Sequence, residues 1–211
     1  MLHEMCDEMG FYVVCETDIE THGGGHREAG GNGYDCFNNP EWFCVNSEWR
    51  HVFLERMERT YNRDKNHPSI ICWSMGNEAG MGFNFEKVYK WIKAYDPSRP
   101  VHYERAIYEN IACTDLMTPM YATPAWCEDY LKNNPERPLI LCEYAHAMGN
   151  SMGGFKEYWD LTRKYDKYQG GFIWDFVDQG LARYEDDGKV SFLYGGDFNN
   201  YDPSDNSFNN N

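Results

Sequence analysis

Short apolar runs recur along the chain, and segments of helical periodicity lie between them. The apolar runs are continuous rather than alternating, which is typical of parallel strands that are covered on both faces. We therefore predict six strands, at 11–16, 69–75, 101–104, 116–121, 138–144 and 170–177.

The intervening segments predict helices. Two carry apolar stripes, formed by Val45, Trp49, Val52, Phe53 and Met57 and by Phe85, Val88, Tyr89 and Ile92. Asn150 or Ser151 is predicted to cap a third helix, which carries Phe155, Tyr158, Trp159 and Thr162, and segment 125–133 is a short fourth. Strands alternating with helices imply a parallel α/β architecture, either an open doubly wound sheet or most of an eight-stranded barrel. No repeat or linker interrupts the pattern, so we treat 1–211 as one domain.

Charge and composition narrow the classes of function. The 211 residues carry a formal net charge of −15. A nucleic-acid binder needs a basic footprint, and an acidic surface repels anionic membranes and phosphorylated substrates, so we expect a neutral or cationic partner. No apolar run approaches the roughly 20 residues that cross a bilayer. The eight cysteines show no zinc-site spacing, which favours reduced thiols in a cytoplasmic protein.

Two glutamates stand out among the polar residues that follow the predicted strands. Glu78 lies in GNEAG, where we expect the glycines to let the backbone approach a ligand, and Glu143 ends the run PLILC. A carboxylate at a buried strand end is costly unless it is paired or functional. Each glutamate alone fits a structural ion pair equally well. Together, at two strand ends of one parallel sheet, they favour the paired carboxylates of glycoside hydrolysis.

Glu20 and His22 form a second candidate group. Side chains two residues apart on an extended segment project to the same side, so both could hold one cation. Carboxylate oxygen with a single imidazole suits Mg²⁺ or Mn²⁺ better than Zn²⁺. A hydrogen-bonded Glu–His pair without a metal is the alternative, and the two residues alone leave it open.

Long motifs in these regions resemble glycoside hydrolase family 2, in its large bacterial β-galactosidase branch. The resemblance is carried by RDKNHPSIICWSMGNEAG (63–80) and RPLILCEYAHAMGNSMGGF (137–155). Four further segments match in the same order, namely YVVCETDIETHG (12–23), DPSRPVHYE (96–104), TPMYA (118–122) and QGGFIWDFVDQG (169–180). The sequence ILCEYAHAMGN favours this branch over the β-glucuronidase and β-mannosidase branches.

The resemblance implies a TIM barrel that cleaves terminal β-D-galactosyl residues, as in lactose, with retention of configuration. It implies that Glu78 is the acid/base and Glu143 the nucleophile. Glu20 and His22, with Glu78, match the ligands of a magnesium ion. The residues that match the galactosyl-binding group are Asn77, Tyr121, His146 and Trp174, and those that match a sodium site are Phe208, through its carbonyl, and Asn211.

The resemblance also implies an incomplete (β/α)8 barrel. FYVVCE matches the third barrel strand, so the six predicted strands correspond to strands 3–8, and the family's flanking β-domains have no counterpart. We expect a fragment or one piece of a split enzyme, completed by an upstream segment or a complementary chain. Three alternatives stay open: a retaining glycosidase for β-glucuronides or β-mannosides, an inactive fragment that only binds sugar or a partner, and a hydrolase that activates water on a metal.

Overall fold

The computed structural model describes residues 1–21, 40–147, 152–175, 180–193 and 197. These residues divide into two compact units, Met1–Thr118 and Pro119–Asn211. Within the described residues no helix is both long and apolar enough to cross a membrane.

The first unit is built on a parallel sheet of three strands in the order β1-β2-β3. The strands are β1 (Val13–Glu16), β2 (Ile70–Ser74) and β3 (Val101–His102). The helices are α1 (Leu2–Met9), α2 (Arg50–Asp64), α3 (Phe83–Tyr95) and α4 (Ala106–Glu109). The prediction of parallel strands at 11–16, 69–75 and 101–104 is confirmed, although each observed strand is shorter. Helix α1 was not predicted.

The apolar stripes of α2 and α3 form the core of the first unit. Phe53 and Met57 of α2 and Phe85, Val88 and Ile92 of α3 are buried. The rings of Phe53 and Phe85 form a T-shaped, edge-to-face contact, with centroids 5.0 Å apart. These residues lie three, four or seven positions apart, so they share one helix face, and burying that face drives the helices onto the sheet.

The predicted stripe extends too far toward the N-terminus of α2. Val45 and Trp49 precede the helix, which begins at Arg50. The Asn46 side chain accepts a hydrogen bond from the Glu48 amide, and a 3₁₀ turn at Ser47–Trp49 follows. An asparagine cap at this position sets the start of the helical segment, and periodicity alone did not reveal it.

Trp73 is the largest buried side chain of the sheet, and its indole is hydrogen-bonded to Asp96. The Trp73 Nε1 donates to Asp96 Oδ2 over 2.9 Å, and Arg99 Nη1 lies 2.9 Å from the same oxygen. The Arg99 guanidinium also lies 5.3 Å from the centre of the Trp73 ring. Burial raises the pKa of Asp96, but hydrogen bonds from Ser98, Trp73 and Arg99 outweigh this and lower it to about 2.

The second unit contains a parallel pair and an antiparallel hairpin. Strands β4 (Leu139–Tyr144) and β5 (Tyr168–Ile173) are parallel, and β6 (Leu181–Tyr184) pairs with β7 (Val190–Leu193). Its helices are α5 (Pro124–Lys132) and α6 (Phe155–Lys164). The helix predicted at 125–133 and the strand at 138–144 are confirmed. The strand predicted at 170–177 runs instead from 168 to 173, and the hairpin was not predicted.

Two predictions in the second unit are wrong or lie outside the described residues. Segment 116–121 is not a continuous strand: Met117 and Met120 each form only an isolated bridge, that of Met120 with Glu143. Pro119 has no amide donor, and Tyr121 adopts a left-handed φ of +51°, so a strand ladder cannot run through them. Helix α6 follows Gly154, whose φ is +70°. The predicted caps Asn150 and Ser151 lie outside the described residues.

We predict that Asp96→Ala lowers the free energy of unfolding by about 2–4 kcal/mol, because it leaves a buried indole donor and the Arg99 charge without their acceptor. Urea unfolding measures the change. Asp18→Ala is the matched control, since the Asp18 side chain pairs with Arg56 but is 75% exposed. We expect that control to change stability by about 1 kcal/mol or less. Equal losses in both variants would contradict the anchoring role of Asp96.

We also predict that His102 makes the first unit acid-sensitive. Burial lowers the pKa of His102 to about 4 from the ordinary 6.5. Between these values only the unfolded chain takes up the proton, so stability is complete above pH 6.5 and falls as pH drops toward 4. The loss is about 1.4 kcal/mol per pH unit once the pH is well below 6.5.

The measurement compares wild type with His102→Gln by urea unfolding from pH 7.5 to pH 5.5. This range stays above the isoelectric point, which is about 4.8. The wild type is expected to lose about 1 kcal/mol more than the variant across the range. Parallel pH curves for the two proteins would show that His102 is protonated in the folded state as easily as in the unfolded state.

Candidate active site

The candidate residues of the first unit lie just beyond the carboxyl ends of β1 and β2. The chain continues from β1 to Glu20, which forms an isolated parallel bridge with Asn77. The Asn77 amide donates to the Ile19 carbonyl over 2.8 Å. Parallel pairing therefore carries two of the predicted site residues, Glu20 and Asn77, to one edge of the sheet.

Gly76 allows these two segments to approach each other. Its φ is +143°, and a Cβ at this position would lie 2.6 Å from the Ile19 carbonyl oxygen. Any side chain would therefore clash with backbone. The sequence predicts that glycines of GNEAG admit a ligand, but at Gly76 the close neighbour is Ile19. The glycine serves the packing of the site.

Glu78 occupies a left-handed conformation with a φ of +41°, and its side chain is 22% exposed. Its amide donates to Glu104 Oε1 over 2.8 Å. Its own Oε1 lies 3.4 Å from Arg105 Nη2, and Arg105 Nε lies 3.1 Å from Glu104 Oε2. Glu104 and Arg105 are both buried. Glu78 is thus contacted through its backbone and its carboxyl group by two adjacent residues.

Glu104 and Arg105 were not predicted from the sequence. The pattern that singles out Glu143, a glutamate directly after an apolar run, also occurs at Glu104, which follows VHY. The adjoining Tyr103 is fully buried and holds the next part of the same loop. Its hydroxyl donates to the Gly80 carbonyl over 2.6 Å and accepts from the Ala79 amide over 3.0 Å.

A further carboxylate, that of Glu16, lies on β1 beside β2, the strand that leads into the loop of Glu78. Glu16 ends β1 opposite Ser74, whose hydroxyl donates to Glu16 Oε2 over 2.7 Å. Loss of hydration at its carboxyl group raises the pKa of Glu16, and the bond from Ser74 only partly opposes the rise. Ser74 is in turn opposite His102, so three polar side chains follow one row across the sheet.

The candidate residues of the second unit lie at the carboxyl ends of β4 and β5. Glu143 is the penultimate residue of β4, and the Tyr121 hydroxyl donates to its Oε2 over 2.6 Å. The Tyr121 amide also donates to the Glu143 carbonyl over 2.8 Å. The two residues are therefore held together by backbone and side chain.

His146 and Trp174 join the same group. The ring centroids of His146 and Tyr121 are 5.9 Å apart. Trp174 follows β5, its amide donates to the Tyr144 carbonyl, and its own carbonyl accepts from Ala147. The predicted site residues of the second unit that the structure describes, namely Tyr121, Glu143, His146 and Trp174, therefore lie where β4 and β5 end.

The described residues contain part of the predicted metal site. Glu20 is exposed and is joined to the loop of Glu78 through Asn77, so two carboxylates of the predicted ligand set belong to adjoining strand ends. Their oxygen chemistry fits Mg²⁺. His22, Phe208 and Asn211 lie outside the described residues, and so does the predicted sodium site.

A different cluster brings His3, Cys15 and Asp64 together, with ligand atoms within 4.8 Å of one another. Arg63 already binds the Asp64 carboxylate, through Nε at 2.8 Å and Nη2 at 2.7 Å. Burial raises the pKa of the Cys15 thiol to about 12, so it stays protonated near neutral pH. The Arg63–Asp64 ion pair lies within α2, and the neutral Cys15 thiol of β1 donates to Asp64 Oδ2 over 3.6 Å, so the cluster has a structural role between strand and helix.

Each unit carries a glutamate suited to a distinct task. Glu143 is an accessible carboxylate that a neutral hydroxyl steadies, which suits attack on an electrophilic carbon. Glu78 is a partly exposed carboxyl group in a fixed backbone position, which suits proton transfer. The aromatic faces beside Glu143 suit the apolar face of a sugar ring.

Comparison with known proteins identifies the family of this chain. The family model "Glycosyl hydrolases family 2, TIM barrel domain" matches residues 1–211. A β-galactosidase of Photobacterium profundum is 45% identical over 93% of this chain and 19% of its own length. One from Vibrio cholerae is 47% identical over 93% of this chain and 19% of its own length. The chain thus spans about a fifth of these relatives.

Solved structures share the fold. A Ruminococcus gnavus β-glucuronidase has a TM-score of 0.58 and 16% identity, over 86% of this chain and 36% of that one. An Eisenbergiella tayi β-galacturonidase bound to galacturonate has a TM-score of 0.57 and 17% identity, over 85% and 35%. At these identities the likeness concerns the fold alone. Because the family model matches from the first residue to the last, the chain belongs to the TIM barrel domain of glycosyl hydrolase family 2.

Proposed function

We propose that this chain supplies the catalytic residues of a retaining β-galactosidase, which cleaves terminal β-D-galactosyl residues from lactose-like substrates. The observation that carries the proposal is Glu143 at the end of β4, bound over 2.6 Å by the Tyr121 hydroxyl. A carboxylate placed in this way, in a family 2 chain 44–47% identical to curated β-galactosidases, fits the nucleophile of that reaction.

In the first step, a Glu143 oxygen attacks the anomeric carbon and the bond to the leaving oxygen breaks. Glu78 gives its proton to that oxygen, so the leaving group departs as a neutral alcohol. The Tyr121 hydroxyl orients the attacking carboxylate through its hydrogen bond. In the second step, Glu78 takes a proton from water, the water oxygen bonds to the anomeric carbon, and Glu143 is released. Two inversions give net retention.

The remaining predicted residues bind the sugar in this proposal. Trp174 and Tyr121 offer aromatic faces, and His146 and Asn77 offer groups that hydrogen-bond to hydroxyls. The net charge of −15 favours a neutral galactoside over an anionic glucuronide. The acidic surroundings also suit a transition state with positive charge on the sugar ring.

Magnesium belongs to the same proposal. Glu20, His22 and Glu78 would hold the ion, and Phe208 and Asn211 would hold sodium. Magnesium supplies a positive charge that stabilises nearby anionic groups and fixes their orientation.

We further propose that the barrel is completed by additional polypeptide, which belongs either to the same, longer chain or to a complementary chain. The described parallel strands form sheets of three and two strands. In the three-stranded sheet β1 is an edge strand, and apolar side chains before it are exposed, namely Leu2, Met5, Met9, Phe11 and Tyr12. Edge strands with apolar surface favour a pairing partner.

The seven cysteines of the described residues are free, which supports a reducing cytoplasmic location.

The function is tested with nitrophenyl β-galactoside, β-glucuronide and β-mannoside, on the longest polypeptide that carries this sequence and on the 211-residue chain beside it. We expect the galactoside to be hydrolysed with retention, as followed by NMR. Glu143→Gln should lower kcat roughly 10³-fold or more on every galactoside, because no covalent intermediate forms. Glu78→Gln should lower kcat/KM roughly 10²–10⁴-fold for poor leaving groups and far less for dinitrophenolate, which needs no proton.

Asp18→Asn is the matched control, because it neutralises an exposed carboxylate close in sequence to Glu20, and we expect it to retain activity. Inversion of configuration would contradict the assignment of Glu143 as nucleophile. Preference for the glucuronide or mannoside would replace the proposed substrate. Galactose binding without turnover in every form of the protein would favour a non-catalytic sugar binder.

The metal proposal is tested by calorimetric titration with Mg²⁺. Glu20→Ala should weaken binding by about tenfold or more, because it removes an oxygen ligand. Asp18→Ala, which removes a carboxylate two residues away, should leave the affinity unchanged. Equal weakening in both variants would mean that Mg²⁺ only associates with the acidic surface.

A further inference from the structure

We infer that Glu104 and Arg105 position Glu78: Glu104 fixes its backbone through the amide, and Arg105 orients its carboxyl group. This inference rests on the proposed role of Glu78 as acid/base. It adds two positioning residues that the sequence motifs did not identify.

The backbone at Glu78 needs an external restraint. Its φ of +41° is a left-handed conformation that costs energy for a residue with a side chain, and such conformations persist where the surroundings enforce them. Glu104 supplies the restraint, because its carboxylate accepts the Glu78 amide proton over 2.8 Å. Glu104 is 2% exposed, so this charge-assisted bond is shielded from water.

Arg105 connects the two carboxylates. Its Nε lies 3.1 Å from Glu104 Oε2, and its Nη2 lies 3.4 Å from Glu78 Oε1. The guanidinium is planar and rigid, so contacts from two of its nitrogens relate the two carboxyl groups in direction as well as in distance. Arg105 is itself 6% exposed, and a buried charge of this kind requires anionic neighbours.

The loop that carries Glu78 has a second support that does not involve these residues. Tyr103 binds the Ala79 amide and the Gly80 carbonyl, and the Asn77 amide binds the Ile19 carbonyl. Loss of Glu104 therefore removes the contact at Glu78 and leaves the bonds on either side of it. This separation makes a positioning role distinguishable from a general role in folding.

Misplacement of the acid should affect one part of the reaction selectively. Proton transfer depends on the distance and direction from the carboxyl group to the leaving oxygen. Leaving groups that depart as stable anions do not need the proton. A positioning defect at Glu78 therefore increases with the basicity of the leaving group, whereas a general loss of folded protein lowers all rates by one factor.

The first measurement is kcat/KM for galactosides whose leaving groups range from 2,4-dinitrophenol to glucose and methanol, on the longest polypeptide that carries this sequence. Glu104→Met and Arg105→Met should lose about 10–100-fold on the poorest leaving groups and less than about threefold on dinitrophenyl galactoside. Glu104→Gln retains an acceptor oxygen and should recover part of the loss. Arg99→Met is the control, because it breaks a different buried ion pair in the first unit. Any loss there should be uniform.

The second measurement needs no activity. Hydrogen exchange by NMR compares the Glu78 amide with the Ala79 amide, which binds Tyr103 and serves as an internal reference. In Glu104→Met the Glu78 amide should exchange at least about tenfold faster, with Ala79 unchanged, and Glu104→Gln should restore part of the protection.

The outcomes separate the two claims. If the wild type hydrolyses no galactoside, the proposed function fails, and the positioning claim is decided by the exchange data. Equal losses on all leaving groups, or equal changes at Glu78 and Ala79, would overturn the positioning role. Selective acceleration at Glu78 together with a loss that depends on the leaving group would establish it.

Discussion

Parallel pairing of β1 with β2 is the constraint on which the candidate residues of the first unit depend. The pairing runs from Val13 to Glu16 and is extended beyond the strands by the bond from the Asn77 amide to Ile19. It places Glu20 beside Asn77, and it is possible only because Gly76 has no side chain to meet the Ile19 carbonyl. The loop of Glu78 is therefore fixed by backbone contacts before any side chain of the site contributes.

Buried polar groups hold this loop from the side of β3. Tyr103, Glu104 and Arg105 follow one another along the chain, and each contacts a different part of 78–80. The adjoining residue His102 is buried as well, and its neutral form is the one that burial favours. A short strand of two residues thus positions four consecutive polar side chains. These contacts explain why four polar side chains are buried in and directly after a segment that was predicted as a buried strand.

The sequence predicted the elements with strong periodicity and failed where a single residue overrides the pattern. Stripes such as Phe85, Val88 and Ile92 become buried helix faces, because their spacing alone decides which side is covered. Segment 116–121 is apolar enough for a strand, yet Pro119 and the left-handed Tyr121 prevent one. Helix α2 starts later than its stripe, because the polar cap at Asn46 begins a 3₁₀ turn over Ser47–Trp49 that precedes the helix.

The candidate site was predictable to a similar degree. Glutamates that end apolar runs can be found in a sequence, and the structure does bring Glu143 together with Tyr121, His146 and Trp174. The contact of Glu78 with Glu104 joins residues 26 positions apart, and its register follows from the pairing of β2 with β3. Nothing in the local pattern of either segment specifies that register. The role of Gly76 is also tertiary, since it depends on Ile19 in another strand.

The two glutamates differ in the kind of support they receive, and the difference follows their proposed tasks. Glu143 receives a hydrogen bond from the neutral hydroxyl of Tyr121, which steadies the carboxylate without cancelling the charge that a nucleophile needs. Glu78 is tied to a buried carboxylate and a buried guanidinium, whose charges offset each other. Removing either of those partners takes away part of the charge that compensates the other, so Glu104 and Arg105 stabilise each other in the interior. A group that gives and regains a proton in each cycle keeps its position best when its supports are themselves held in place, and the buried contact between Glu104 and Arg105 meets that condition.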